Sequence, residues 1–181
     1  MTRNGGVKPT LPLLELWYRQ ERRCANGRHA DAARKESNER MHSPMFAPVI
    51  AMVFWTFVMG VWLYATRIPA LSRHKIVYDP SKPNDAFAAQ IPPSVRWKAD
   101  NYNNLMEQPP IFYAIALILA FSGVVDGITV SLTWAYVATR VAHSLVHALV
   151  NRVMVRFGLF ALASVILLAL TLRAAAVAFS I

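Results

Sequence analysis

Four apolar stretches interrupt an otherwise polar chain: "MFAPVIAMVFWTFVMGVWLYATRI" (45–68), "PPIFYAIALILAFSGVV" (109–125), "GITVSLTWAYVATRVAHSLVHALV" (127–150) and "FGLFALASVILLALTLRAAAVAFSI" (157–181). The first and last are long enough, as helices, to cross a hydrocarbon core of about 30 Å. The second is short for that task and needs the polar turns before it. Pro93 opens "SVRWKADNYNNLMEQ", so this helix is predicted to begin near residue 94 and run to 125. Its Pro109-Pro110 pair frees carbonyls one turn earlier and bends the helix there. The third stretch is interrupted by Arg140, His143 and His147; Arg173 in the fourth snorkels to an interface. Links as short as Asp126-Gly127 and 151–156 force antiparallel neighbours. By contrast, 72–97 carries Pro80, Pro83, Pro92 and Pro93 and reads as a loop with short helical turns at most.

The pattern predicts an all-α integral membrane protein, a four-helix up-down transmembrane bundle with spans 45–68, 94–125, 127–150 and 157–181. Composition agrees: 55% of the 181 residues are hydrophobic. The net charge of +9 is then best matched to anionic lipid or an acidic partner, not to nucleic acid, for which no motif is present. One cysteine, Cys24, excludes an internal disulfide and a cysteine-rich zinc site. The first apolar run begins too late for a cleavable signal peptide. Charges close to the spans tilt the loops toward the cytoplasm.

Residues 1–44 form a basic N-terminal extension with nine Lys/Arg and five Asp/Glu. Within it, "LPLLELWYRQERRCA" (11–25) has a Trp-containing apolar start and a basic end, as an interfacial or partner-docking helix has. A solvated basic tail is the other reading. His29, His42 and His74 lie in polar surroundings and are read as solvated.

Residues three, four and seven apart share a helix face. Asp100, Asn104, Glu107 and Ile111 make one stripe; Tyr136, Arg140, His143, His147 and Asn151 make another. Turned inward, these stripes would pair Arg140 with Glu107 or Asp100 near one membrane surface. Arg152 and Arg156 follow, guanidiniums suited to a carboxylate or a thiolate. Two readings fit: polar glue between spans, at about 0.6–2 kcal/mol per contact, or a ligand site. "HSLVH" (143–147) places two imidazoles on one face, donors that suit iron or zinc. Ser144 stands where the zincin pattern needs glutamate, and no metal is expected.

At these residues the chain resembles the MAPEG superfamily, membrane-associated proteins in eicosanoid and glutathione metabolism, and its bacterial branch most closely. "NLMEQPPIF" (104–112) follows the family's order of Asn, Glu, Pro and an aromatic. "RVAHSLVHALVNRVMVR" (140–156) is similar to the third-helix segment of the family's prostaglandin E synthases. The resemblance covers about 45–180 and implies a MAPEG-type four-helix bundle, a homotrimer, and glutathione bound between neighbouring subunits. Carried over by position, Asn104 and Glu107 would hold glutathione and Arg140 would support the pocket. Arg156, or Arg152, would face its sulfur as the catalytic group. Three positions depart from the family's pattern. Asp100 replaces an arginine for glutathione's carboxylate, His147 replaces a tyrosine, and Phe160 replaces an aromatic alcohol.

Two functions from different classes follow. One is a glutathione-dependent transferase, peroxidase or isomerase of lipophilic substrates, in a bacterial inner membrane. The other is a non-catalytic subunit of a larger membrane complex, docked through residues 1–44.

Overall fold

The structure, a computed structural model, describes residues 43–77, 79–81 and 83–179, together with 31, 34, 35, 37 and 38. The segment 11–25, Cys24, His29 and His42 lie outside the described residues. The chain divides into two units, Met1–His42 and Ser43–Ile181, and the second holds the bundle. Its helices are α1 (Phe46–Arg73), α2 (Asn84–Ala88), α3 (Pro93–Glu107), α4 (Pro109–Phe121), α5 (Gly127–Leu149) and α6 (Val153–Ala178). No strand occurs among the described residues.

Among the described residues, three helices are long and apolar enough to cross a membrane: Phe46–Arg73, the bent rod Pro93–Phe121 and Val153–Ala178. The third predicted span, α5, has 23 residues but falls outside that class because polar residues line it. It can accompany the others through hydrocarbon only with that stripe turned inward. The structure has it so: Arg140 is 0% exposed, His143 2% and His147 5%. Phe54 and Phe57 on α1, at 67% and 70% exposure, show the complementary lipid-facing surface. The chain is a multi-pass integral membrane protein.

The core is set by spacing. Met45, Met52 and Met59 recur every seven residues along α1 and are fully buried, facing Leu105, Phe112 and Leu119. Phe112 stacks on Tyr136 of α5 at 4.4 Å, a tight offset pair that ties the bent rod to α5. α6 contributes Ala163, Leu167, Leu170 and Ala174, two leucines flanked by small residues, and packs closely on α5. Gly60 gives Tyr102 room on α1, since a Cβ there would lie 3.2 Å from its ring.

Several boundaries differ from the sequence reading. α1 runs five residues past 68 and contains Pro69. The second span closes at Phe121 instead of 125: Gly123, at φ 76°, and Val124 turn back to the carbonyls of Ala120 and Leu119. The fourth begins at Val153 rather than 157, which puts Arg156 on a helix and not in a link. Left-handed Asn151, at φ 50°, makes this early start possible by turning the chain within the three residues 150–152.

At the other end of α5, Asp126 caps the helix, accepting from the Thr129 backbone and hydroxyl, and bridges to Arg173 of α6 at 2.9 Å. The Thr129 hydroxyl, aided by Arg173, holds the Asp126 carboxyl below its usual range. A depressed folded-state value makes the carboxylate's contribution complete above the unfolded value and lost as pH falls through the folded one. Asp126→Ala should therefore lower the Tm in detergent at neutral pH. Below pH about 4 the variant and parent midpoints should converge; a gap that persists in acid would refute the charge-based account.

Candidate functional site

The site grows from a break in a helix. α3 ends at Glu107 because Pro109 and Pro110 lack the N–H groups that would serve the carbonyls of Leu105 and Met106. Just before that break, Arg140 Nη2 donates to the Asn104 carbonyl at 3.0 Å and to Asn104 Oδ1 at 2.8 Å. One turn back, Asn101 Nδ2 donates to Ser144 Oγ at 2.6 Å. Across the hinge, Gln108 Nε2 donates to Ser164 Oγ of α6 at 2.8 Å. Three polar rungs thus fasten the bent rod to α5 and α6 where its backbone is least satisfied.

Arg140 does not pair with Asp100 or Glu107, as the stripes had predicted. Arg173 bridges to Asp126, and neither Asp100 nor Glu107 lies within ion-pair distance of Arg140. The guanidinium lies 5.7 Å from the Phe160 ring centre, and its Nε and Nη1 have no hydrogen-bond partner. A helix C-terminus carries partial negative charge, which partly offsets this buried cation.

A second row on α5 faces α6. His143 Nδ1 lies 3.0 Å from the Arg156 carbonyl, which only accepts, so this nitrogen carries the proton. Arg156 Nη1 lies 2.8 Å from His147 Nε2 and 2.8 Å from Asn151 Oδ1. A guanidinium only donates, so His147 keeps its proton on Nδ1. His143 Nε2 and His147 Nδ1 are buried without partners. Both bonds of Arg156 use Nη1, leaving Nη2 and Nε for another acceptor.

The two rows flank a cleft of about 330 Å³, lined by Asp100, Asn104, Glu107, His143, His147, Val153, Arg156, Phe157 and Phe160. That volume is within the usual range for small-molecule sites, about 300–1,000 Å³. Of the residues singled out in sequence, Asn104, Glu107, His143, His147 and Arg156 meet here. Arg140 stands behind Asn104, and Arg152, exposed at the α6 N-cap, is not among the lining residues. Asn101, Ser144 and Gln108 escaped the sequence reading; the spacing of Asn101 from Asn104 and of Ser144 from Arg140 was the available signal. No cluster of three metal-ligating side chains is present among the described residues. A separate apolar hollow of about 400 Å³, lined by Phe57, Tyr64, Tyr102 and Tyr113 among others, lies on another face of α3.

Fold and site together define a multi-pass helical membrane protein with a polar cleft between spans. The MAPEG family model matches residues 45–176, and the chain belongs to that family. Neither the curated proteins nor the solved structures compared with it contain a match.

Two predictions follow from the rungs. Arg140→Met leaves the Asn104 carbonyl and amide oxygen without their donor and should cost about 1–3 kcal/mol in detergent unfolding. In a double-mutant cycle Arg140→Met and Asn104→Ala should couple by about 0.5–3 kcal/mol; strict additivity would contradict the contact. At Asn151, glycine retains the left-handed turn but frees Arg156. Asn151→Gly should thus keep the Tm in detergent better than Asn151→Ala, although both remove the contact to Arg156 Nη1.

Proposed function

We propose that the chain is a thiol-dependent membrane enzyme of the glutathione type, a transferase, peroxidase or isomerase acting on lipophilic electrophiles. The observation that carries this reading is Arg156, anchored through one nitrogen in a half-buried cleft with two others left to donate. A thiol with pKa about 8.5 is only about 3% ionised at pH 7, and an adjacent guanidinium raises that share. A bound small thiol would supply a nucleophilic sulfur. Arg156 would stabilise its thiolate, and His147 and Asn151 would hold Arg156 in place. Asn104 would present its amide nitrogen, because Arg140 already occupies Oδ1. Phe157 and Phe160 give that end of the cleft an apolar rim suited to a lipophilic partner.

The fit to glutathione is uneven. The sulfur end finds a cation, whereas the α3 wall offers Asp100 and Glu107, carboxylates that repel an anionic tripeptide. A homotrimer in a bacterial inner membrane is the assembly that the family resemblance implies. A second reading, a non-catalytic subunit of a larger complex, is favoured by residues 1–44, which precede the family match and carry its densest charge.

Arg156→Ala should abolish the near-ultraviolet thiolate band of a bound thiol at pH 7 and lower thiol transfer to a model electrophile by about 10²-fold. An unchanged thiolate band would overturn the assignment of Arg156. Absence of binding by every thiol tried would leave the scaffold reading.

A further inference from the structure

We infer that the cleft selects a thiol whose far end is cationic or uncharged, an aminothiol with its carboxylates absent or masked. This rests on the thiol reading above and specifies its substrate class. Asp100 and Glu107 lie seven residues apart on α3, so they stand on one face two turns apart with Asn104 between them. Both carboxylates are exposed. Neither has a hydrogen bond or ion pair among the described residues. Arg67 and Arg96 line the neighbouring hollow that Asp100 also borders, yet neither approaches it within ion-pair distance. The carboxylates are thus not consumed by the fold.

The opposite wall has the other sign. Arg156 supplies the cleft's cation; Arg140, bonded to Asn104, stands instead behind the α3 wall, within electrostatic reach of Glu107. His143 and His147, 2% and 5% exposed, line the same cleft and each keeps one buried ring nitrogen without a partner. Buried polar atoms are rarely left so unless something else completes them. Two free carboxylates facing a guanidinium make a bipolar slot. The species complementary to it carries an ammonium at one end and an ionisable sulfur at the other. A ligand with two free carboxylates meets like charge along α3, and like charges juxtaposed in a binding site give strong discrimination.

The test compares two ligands of one skeleton, reduced glutathione and its diethyl ester, in which both carboxylates are masked and the ammonium and thiol remain. Binding to the full chain in detergent is measured by calorimetry, for the parent and for Asp100→Asn and Asp100→Arg. The parent should bind the diester at least tenfold more tightly than glutathione, and added salt should narrow that ratio. Asp100→Asn should narrow it, and Asp100→Arg should reverse it. Asp100 makes no bond in the fold, so both variants should retain the parental Tm.

Equal or tighter binding of glutathione by the parent would overturn this inference while leaving the thiol site intact. So would a ratio indifferent to Asp100→Arg in a folded variant. Binding of neither ligand would remove the thiol site and this inference together. Binding of the diester that survives both Arg156→Ala and replacement of its sulfhydryl by a methyl would instead mean the ammonium pole alone is read, and the thiol reading would fall.

Discussion

The bond between Arg140 and Asn104 is the constraint on which the bundle turns. A transmembrane helix broken by two prolines must find donors for carbonyls that its own backbone no longer serves. An arginine buried in a span must find acceptors for a charge that lipid will not solvate. Each is costly alone. Placed together they relieve part of that cost: the last turn of α3, just before the proline break, offers the guanidinium a carbonyl, an amide oxygen and partial negative charge. The bend and the buried cation therefore sit at one place in the bundle.

From that contact the rest of α5 is fixed in rotation. If Arg140 and Ser144 face α3, then His143 and His147, three residues further round in each case, face α6. There they meet the first turn of α6, where the Asn151 turn has brought Arg156. The same helix rotation thus builds the two walls of the cleft. It also explains how a helix too polar to cross a bilayer by itself belongs in the bundle: Arg140, His143, Ser144 and His147 are directed at neighbours, while Ser131, Thr133 and Thr139 bond back to carbonyls of their own helix.

This division decides what was legible in the sequence. The apolar lengths, the proline break and the stripe on the third stretch were readable because each depends on local spacing. The pairing of Arg140 was not. Opposite charges at matching depth suggested Asp100 or Glu107, whereas the stronger demand came from an uncharged carbonyl, a group that every residue possesses and no sequence pattern marks. Arg156 was misplaced into a link for a related reason. A left-handed Asn151 shortens that link to three residues, and asparagine adopts this conformation too seldom for its presence to announce it. The family resemblance picked out Asn104, Glu107, His143 and Arg156 before the geometry gathered them, but it carried no information on which atoms were already taken.

What is taken matters more than what is present. Asn104 lends its oxygen to Arg140, so its amide nitrogen is what it has left for a ligand. Arg156 lends one nitrogen to His147 and Asn151 and retains two. Asp100 lends nothing, and a residue that makes no bond in the fold can change sign without disturbing the bundle. The interior rungs hold α3 in place whatever charge stands at its exposed edge. On the proposed thiol reading, Arg156 keeps its wall while the charge at position 100 sets which ligand charge the other wall accepts, so that one scaffold would serve ligands of opposite charge.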